Sequence, residues 1–446
     1  MIVRRARVLR GAELAGHIER SARGAAFTYD AAYVERTRRQ RTQAQVAGIA
    51  HHLPLEIGRV ETVGVNLHTF FAGLLPEGLR LQALVRRAKT SPDDLLSLLV
   101  SAGADCAGDI SVIADDALPA STSPAVDVAH LDAVSFAEVF AESIEPGKRR
   151  PQEPVVAGVQ QKISAAMISL PLRARGRRAS SYILKLNPPA TPRLVENESF
   201  FMRMAADVGL RAAKARLVRD RDGASGLLVE RFDRALVGDV TVRLHQEDAC
   251  QLLDRYPADK YAVATADVAR AIQGSCDAPI VQLLRFLELV AFSYLIGNGD
   301  PHAKNVSVLT ARGTPRTELS PAYDLLSTVP YGDHTMALPI DRRDDRIRRR
   351  TLVEFGTRFG VRAAATEAML DRLVDRAPPH LAGLDVIGLD AKKTAALRST
   401  ISKRRDDLGV VRIRGQDRPV PLPGQVDDMS VDRIRRPSRA LTKKDS

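Results

Sequence analysis

The stretch GNGDPHAKN, residues 297–305, decides how this chain is interpreted. It follows a long apolar segment, and within it Asp300 and Asn305 lie five positions apart, with Asp324 further along the chain. Phosphoryl transfer needs one carboxylate that faces the attacking hydroxyl group, and it needs an amide and a second carboxylate that hold magnesium ions. The spacing therefore predicts a catalytic loop with Asp300 as the base and with Asn305 and Asp324 as metal ligands.

Other residues of this loop have alternative roles. Gly297 and Gly299 allow the chain to turn sharply where the apolar helix ends. The alternative for Asp300 is a turn-forming aspartate in a glycine-rich loop, but the spacing of the loop favours catalysis. His302 either orders the loop by hydrogen bonding, which is the favoured interpretation, or contacts phosphate. Lys304 is predicted to stabilise the transferred phosphoryl group, with simple exposure to solvent as the alternative.

Length and composition indicate a globular protein of two or three domains. The chain has 446 residues, of which 45% are hydrophobic and 27% are charged, and these values are ordinary for such a protein. Tryptophan is absent and aromatic residues are only 4%, so the core is expected to consist mainly of Leu, Val, Ala and Ile. The net charge of +12 suits a polyanion or an acidic partner, or it reflects a genome that favours arginine.

Several classes of protein are disfavoured. The three cysteines (Cys106, Cys250 and Cys276) are far apart, which argues against a disulfide framework and against a zinc site. The N-terminal stretch MIVRRARVLRG lacks the apolar core of a signal peptide, and no apolar run of about 18 residues predicts a membrane span. The motifs GxSxG, HExxH and GxGxxG are absent, which disfavours the corresponding hydrolase and dinucleotide sites.

Changes in periodicity predict an α+β protein with five segments. They are a small α+β N-terminal subdomain, a linker around one short helix, a strand-rich lobe, a mostly helical lobe, and an extended or disordered tail (1–115, 116–153, 154–235, 236–408 and 409–446). Ser91 and Pro92 are predicted to start one helix, as its N-cap and first residue. Other candidate helices lie near 136–140, 200–208 and 281–296, and candidate strands lie at 2–9, 25–29, 163–170, 181–185, 215–218, 226–232 and 306–309.

The order strand, lysine, helix, strand, turn, strand in residues 154–235 is that of a small kinase N-lobe. Lys185 ends a candidate strand, and its ammonium group is predicted to point at nucleotide phosphates. Glu196 and Glu198 open the helix that follows, and either is a candidate to pair with Lys185. The alternative is a solvated lysine at the end of a strand.

Two further segments are candidates for nucleotide contacts. Residues 230–233 (ERFD) close the last strand, where a hinge would offer backbone groups to adenine and Asp233 would reach the ribose; a charged turn is the alternative. Residues 156–162 (VAGVQQK) precede the first strand, where small residues let backbone amides approach phosphate and Lys162 adds charge. This loop is not a Walker A motif, because GxxxxGK[ST] is missing, and a single glycine is common in loops.

At these residues the chain resembles the HipA family of bacterial serine/threonine kinases, the toxin halves of toxin–antitoxin pairs. The resemblance covers roughly residues 1–370 and rests on ordered motifs: FAGLLPEG (71–78), AGVQQK (157–162), YILK (182–185), ENE (196–198), ERFDR (230–234), RLHQEDACQ (243–251), LIGNGDPHAKN (295–305) and LSPAYDLLS (319–327). This many motifs in the family's order is more specific than any single one.

The resemblance implies a two-lobed, kinase-like fold that uses ATP and magnesium. It implies Asp300 as the catalytic base, and Asn305 and Asp324 as metal ligands. It also implies a set of residues at the nucleotide, drawn from the AGxQ loop, the strand lysine, the hinge segment and the catalytic loop (Gly158, Gln160, Lys162, Lys185, Glu230, Phe232, Asp233 and His302). Residues 246–248 would lie near the active site without an assigned role.

One position departs from the family's pattern. Some members carry a serine just before the AGxQ loop, and its phosphorylation ejects the loop and silences the kinase. Val155 and Val156 stand at that place in this chain and have no hydroxyl group. Self-silencing by that route therefore lacks its acceptor, and Ser164 on the candidate strand is not an obvious substitute.

Three functions fit these observations. The first is a cytoplasmic serine/threonine protein kinase that arrests growth; family targets include aminoacyl-tRNA synthetases, and the usual partner is a small helix-turn-helix antitoxin, through which alone DNA would be contacted. The second is a small-molecule kinase, because Asp-x-x-x-x-Asn loops also occur in antibiotic and lipid kinases. The third is a non-catalytic co-repressor that acts with a DNA-bound antitoxin. The complete set of Asp300, Asn305 and Asp324 argues against a pseudokinase.

Overall fold

The computed structural model describes residues 2–40, 48–64, 66–102, 106–115, 128–144, 167–173, 181–238, 240–310 and 316–410. Met1–Gly409 form one compact unit. Several predictions fall outside the described residues. They concern the AGxQ loop and its neighbours, most of the linker, and the tail (Val155, Val156, Gly158, Gln160, Lys162, Ser164, 116–127 and 411–446).

The first part of the chain is an antiparallel sheet packed against helices. Its strands are β1 (Arg5–Arg10), β2 (Glu13–Arg20), β3 (Gly24–Tyr29), β4 (Gly48–Ala50), β5 (Leu53–Pro54), β6 (Arg59–Val63) and β7 (Ile110–Ala114). In the described residues the main sheet has the order β6-β3-β2-β1-β7, and β4 pairs with β5. The helices are α1 (Ala31–Gln40), α2 (Thr69–Gly73), α3 (Gly78–Ala88) and α4 (Leu95–Ala102). The predicted strand 25–29 is confirmed as β3, whereas β2 was not predicted.

The start of α4 differs from the sequence prediction. The helix begins at Leu95, and the side chain of Asp94 accepts a hydrogen bond of 3.2 Å from the backbone N–H of Ser97. Asp94 is therefore the residue that caps the helix. Ser91 and Pro92 lie in the turn before it, so the prediction that they form its N-cap and first residue is wrong.

The strand-rich lobe, here called the N-lobe, is an antiparallel sheet between two helices. Its elements are α5 (Phe136–Ile144), β8 (Ile168–Arg173), β9 (Ser181–Leu186), α6 (Leu194–Val208), β10 (Ala215–Arg219) and β11 (Ser225–Glu230), and the described strands have the order β10-β11-β9-β8. Phe136 and Phe140 of α5 pack with Leu184 of β9 in one core. Alternate side chains of the sheet face α6, so both faces are covered. Candidate elements at 136–140, 181–185, 200–208, 215–218 and 226–232 are confirmed.

The helical lobe, here called the C-lobe, also contains short strands, most of which were not predicted. The strands are β12 (Arg234–Val237), β13 (Val240–Arg243), β14 (His245–Asp248), β15 (Ser307–Thr310) and β16 (Thr317–Leu319). The helices are α7 (Ala249–Leu252), α8 (Thr265–Ser275), α9 (Pro279–Ile296), α10 (Arg349–Arg358), α11 (Ala363–Arg376), α12 (Pro378–Ala382) and α13 (Ala391–Leu408). Strands β14, β15 and β16 form a small sheet beside the 297–305 loop, and β15 confirms the candidate strand at 306–309.

Helix α9 runs through the core of the C-lobe and delivers the chain to the 297–305 loop. Its 18 residues have a mean hydropathy of 1.6, so among the described residues α9 is long and apolar enough to span a membrane. Gln282, Arg285 and Glu288 interrupt the apolar residues of this helix, and the helix predicted at 281–296 is confirmed. Most of the helix (67%) is buried inside the lobe, which is typical of the core helix of a globular protein.

Candidate active site

The turn after α9 requires glycine at two positions. Gly297 has a φ angle of 71°, and a Cβ atom there would lie 2.5 Å from the side chain of Val329. At Gly299 a Cβ atom would lie 2.7 Å from the carboxylate of Asp333. The backbone N–H of Gly299 donates to the hydroxyl of Thr328 over 2.8 Å. These close approaches fasten the 297–305 loop to the segment that follows β16.

Asp300 is buried at the centre of this loop. It is 1% exposed, and its Oδ1 atom accepts a hydrogen bond of 2.7 Å from the hydroxyl of Tyr261. Its backbone N–H donates to Oδ1 of Asn298 over 3.0 Å. Its carbonyl oxygen accepts bonds of 2.9 Å from Nδ2 of Asn305 and from the backbone N–H of His302. The predicted base and the predicted metal ligand Asn305 are therefore held in one tight turn.

Asp324 lies beside the same turn. Nδ2 of Asn298 is 3.5 Å from the carbonyl oxygen of Asp324, and both residues line a small cavity together with Asn305. Asp324 has a φ angle of 55°, a left-handed conformation that is uncommon for residues other than glycine and is often found at functional sites. The structure thus brings Asp300, Asn305 and Asp324 together, and their catalytic roles stay predictions.

Lys185 lies between two carboxylates. Its Nζ atom donates to Oε1 of Glu198 over 2.6 Å and also contacts the carboxylate of Asp324. The other candidate partner, Glu196, instead accepts a hydrogen bond of 3.0 Å from the side-chain amide of Asn187. The structure therefore selects Glu198, and it connects the N-lobe to Asp324 of the C-lobe through one ammonium group.

Burial and charge act in opposite directions at this lysine. Burial would lower the pKa of Lys185, but the carboxylates of Asp324 and Glu198 outweigh burial and raise its pKa above the usual value. Burial raises the pKa of Glu198 to about 7; the Lys185 ammonium group opposes this effect and the Asp324 carboxylate adds to it. Lys185 is consequently a cation shared by two acidic groups that compete for it.

Asn197 provides a second connection between the lobes. Its side-chain amide donates to the carbonyl oxygen of Ser327 over 2.9 Å and accepts a bond of 2.9 Å from the backbone N–H of Ser327. Asn197 is fully buried, so both bonds are shielded from water. Helix α6 therefore holds the segment after Asp324 directly through Asn197, whereas the neighbouring Glu198 is linked to Asp324 only through Lys185. Sequence reasoning missed Asn197, although it is the central residue of the ENE motif.

Lys304 has a structural role that corrects the sequence prediction. Its Nζ atom donates to Oδ2 of Asp248 over 2.8 Å and to the carbonyl oxygen of Gly73 over 3.0 Å. Burial would lower the pKa of Lys304, but the Asp248 carboxylate raises it above the usual value. The side chain thus fastens the catalytic loop to the start of α7 and to α2 of the N-terminal subdomain. With these bonds Lys304 is not positioned as the predicted phosphoryl-stabilising group.

Asp233 is likewise part of a buried ion-pair cluster. Its Oδ1 atom accepts a bond of 2.9 Å from Arg231, and its Oδ2 atom accepts bonds from the backbone N–H of Gly108 (2.9 Å) and from Arg234 (2.7 Å). Asp233 is 4% exposed, and both of its carboxylate oxygens are occupied. The prediction that Asp233 reaches a ribose is therefore corrected, because its carboxylate joins the N-lobe to the N-terminal subdomain.

The other predicted nucleotide-binding residues lie in varied surroundings. The ring of Phe232 lies 5.3 Å from that of Tyr323, the residue before Asp324. The side chain of Glu230 is half-exposed at the end of β11. The buried ring of His302 packs edge-on against Tyr261. Contacts of Glu230, Phe232 and His302 with a nucleotide stay predictions.

A row of buried charges joins the N-terminal subdomain to β14. Oδ2 of Asp109 accepts a bond of 2.9 Å from Arg10, and its Oδ1 atom lies 3.1 Å from Nδ1 of His245. Nε2 of His245 lies 3.0 Å from Oε1 of Glu247. Burial would lower the pKa of His245, but the carboxylates of Asp109 and Glu247 outweigh it and raise the pKa to about 9. His245 is therefore protonated at neutral pH.

Two family models match the chain. The model of the HipA-like C-terminal domain matches residues 155–381, and the model of the HipA N-terminal domain matches residues 6–113. The chain is 34% identical over 294 residues to the putative kinase Y4mE of Sinorhizobium fredii, a match that covers 61% of this chain and 68% of that protein. It is 29% identical over 302 residues to the serine/threonine-protein kinase toxin HipA of Shewanella oneidensis, covering 63% of this chain and 68% of that one.

A solved structure has the same fold. The chain is similar to one in the complex of HipA, HipB and operator DNA from Shewanella oneidensis MR-1, with a TM-score of 0.68, 23% identity, and coverage of 90% of this chain and 96% of that one. The α+β, two-lobed arrangement is therefore confirmed as a kinase-like fold. The chain belongs to the HipA family and is a HipA-type kinase, as its motifs predicted.

Proposed function

We propose that this protein is a serine/threonine protein kinase of the HipA toxin type that uses ATP and magnesium. The observation that carries the proposal is the convergence of Asp300, Asn305 and Asp324 next to Lys185, where the two lobes meet. The name of the Shewanella oneidensis relative, a serine/threonine-protein kinase toxin, supports the proposed class of acceptor.

The donor atoms around Asp324 fit magnesium. Asn305 and Asp324 line one cavity. Their side chains carry oxygen atoms, and oxygen is the ligand atom that Mg²⁺ prefers. Within the described residues no group of three or more His, Cys, Asp or Glu residues forms a cage for a metal. Mg²⁺ usually binds through one or two carboxylates together with substrate phosphates. Bound magnesium would neutralise charge on the phosphates.

The other proposed roles belong to side chains and backbone groups of the protein itself. Asp300 accepts the proton of the attacking serine or threonine hydroxyl. Lys185, oriented by Glu198, presents a positive charge to the nucleotide phosphates. Phe232 and the backbone at Glu230 contact the nucleoside, and His302 lies beside the nucleotide. Gly158, Gln160 and Lys162, which lie outside the described residues, cover the phosphates in this proposal.

The proposal includes partners of three kinds. The similar structure contains HipA with HipB and operator DNA, which supports an antitoxin as the partner. In this proposal the antitoxin is a small helix-turn-helix protein, and DNA is contacted only through it. The net charge of +12 suits such an assembly. The target is a cellular protein such as an aminoacyl-tRNA synthetase, whose phosphorylation arrests growth. The proposed location is the cytoplasm, without membrane attachment.

Transfer of labelled phosphate tests this function. Purified wild-type protein is incubated with γ-labelled ATP, Mg²⁺ and a cell lysate, next to Asp300→Asn. We expect labelled proteins with the wild type, and at least a roughly 100-fold lower rate with the variant because the general base is lost. Equal labelling by both proteins would remove Asp300 from the mechanism. Labelled metabolites without labelled proteins would indicate a small-molecule kinase.

A further inference from the structure

Tyr261 covers the proposed base. It belongs to the segment 256–264, which runs from α7 towards α8 across the catalytic loop. Its hydroxyl donates to Oδ1 of Asp300 over 2.7 Å. Tyr261 is 36% exposed, whereas Asp300 beneath it is 1% exposed. A protein acceptor that approaches Asp300 from solvent therefore meets the tyrosine first.

Contacts on two sides hold Tyr261 in this place. Its ring packs edge-on against His302, with 5.1 Å between the ring centroids. The carbonyl oxygen of the preceding residue, Lys260, accepts a bond of 3.2 Å from the backbone N–H of Ala303 in the catalytic loop. Nζ of Lys260 pairs with Glu77 over 2.7 Å. The segment is thus fastened both to the catalytic loop and to the N-terminal subdomain.

The hydrogen bond from the Tyr261 hydroxyl to Asp300 resembles the one that a substrate hydroxyl must donate to the base. Before transfer, a serine or threonine hydroxyl has to lie within about 2.6–3.2 Å of the base. Burial and the nearby Asp300 carboxylate raise the pKa of Tyr261 well above its usual value, so its phenol remains a hydrogen-bond donor. Tyr261 and an incoming hydroxyl group therefore compete for hydrogen bonding to the same carboxylate.

We propose that Tyr261 is a gate at the acceptor site: its hydroxyl occupies the place of the substrate hydroxyl, and a protein acceptor must displace it to reach Asp300. This inference rests on the proposed role of Asp300 as the base. In the closed position the gate keeps water and unsuitable hydroxyl groups from the base. The pair between Lys260 and Glu77 lets the N-terminal subdomain hold the gate closed.

The substitution Tyr261→Phe tests the gate, because it keeps the ring and removes the hydroxyl. We expect the KM for dephosphorylated casein, used as a generic acceptor, to fall about fivefold, the effect of one net hydrogen bond. ATP hydrolysis without a protein acceptor should rise by a similar factor, and the KM for ATP should stay unchanged. Tyr256→Phe, in the same segment, is the matched control and should behave as the wild type.

A second variant leaves Tyr261 and Asp300 intact. Glu77→Gln removes the charge that holds Lys260. We therefore expect the acceptor KM to fall and ATP hydrolysis to rise, as in Tyr261→Phe but by smaller factors. If Tyr261→Phe has the wild-type acceptor KM and the wild-type rate of ATP hydrolysis, the proposal that Tyr261 is a gate is overturned. A lower kcat with an unchanged acceptor KM would also overturn it. A wild-type protein that neither hydrolyses ATP nor transfers its phosphate would instead overturn the proposed function.

Discussion

The ammonium group of Lys185 lies 2.6 Å from the carboxylate of Glu198, and this pair connects β9 of the N-lobe to its helix α6. Protein kinases need such a lysine–glutamate pair and a metal-binding aspartate in place at the same time. In this protein the lysine also contacts Asp324, so the three groups already lie together.

Loss of Lys185 should destabilise the protein through Glu198. Lys185→Met leaves a buried carboxylate without its partner, and we expect the free energy of unfolding to fall by about 3–5 kcal/mol. The double variant Lys185→Met/Glu198→Leu should recover most of that loss, because the fully buried carboxylate is gone and the remaining one, Asp324, is partly exposed to water. Urea unfolding measures both. Lys214→Met is the control, since its side chain is 84% exposed and should matter little. Equal losses in the single and double variants would contradict the account.

Lys304 and Asp248 should act as one structural unit. We expect Lys304→Met and Asp248→Asn each to lower the free energy of unfolding, with a coupling energy of about 1–3 kcal/mol in a double-mutant cycle. Asparagine at position 248 can still cap α7, so the cycle isolates the ion pair. The kcat values of the two single variants should fall together. A large loss of kcat in Lys304→Met alone would restore the phosphoryl-stabilising role that the sequence suggested.

Asp233 should matter for stability and not for nucleotide binding. Asp233→Asn weakens the buried bonds to Arg231 and Arg234, and we expect a loss of about 1.5–3 kcal/mol in the free energy of unfolding. The KM for ATP should remain at the wild-type value, measured at a temperature where the variant is folded. Asp324→Asn serves as the contrasting variant, because it should raise the Mg²⁺ concentration needed for activity. A KM for ATP that rises in Asp233→Asn would reinstate the ribose contact.

Stability should fall in mildly alkaline solution because of His245. Its pKa is raised to about 9 in the folded protein by Asp109 and Glu247, which overcome the effect of burial. A raised pKa contributes stability that is present in full below the unfolded value of about 6.5 and is lost as the pH rises through the folded value. We therefore expect the wild type to lose on the order of 2 kcal/mol between pH 7 and pH 9.5, measured by urea unfolding.

The variant His245→Gln provides the comparison for this pH dependence. It removes the titrating group, so its free energy of unfolding should be lower at pH 7 and should change little up to pH 9.5. The difference between wild type and variant should consequently narrow as the pH rises. A difference that stays constant over this range would show that His245 is not the group responsible.

The catalytic loop was predictable because its information is local. The spacing of Asp300 and Asn305 within one turn, and the glycines that the turn requires, are visible in nine consecutive residues. The strand of Lys185 and helix α6 were predictable for the same reason, since their apolar periodicity is regular. The choice between Glu196 and Glu198 was not, because it depends on which side of α6 faces the sheet.

Most of the errors and omissions concern residues whose partners are distant in the sequence. Lys304 is bound by Gly73 and Asp248, and a buried, paired lysine has the same sequence signature as a free one. Tyr261 reaches Asp300 across 39 positions from a loop without a motif. Asp233 did carry a local signal, because arginines lie two positions before it and one after it.

A crystal structure of the wild type with Mg²⁺ and a non-hydrolysable ATP analogue tests the central claim most directly. We expect a metal ion about 2.1 Å from Oδ1 of Asn305 and from a carboxylate oxygen of Asp324, the distance typical of magnesium. The carboxylate of Asp300 should face the terminal phosphate. A nucleotide bound elsewhere, or a metal ion held by neither residue, would contradict the account.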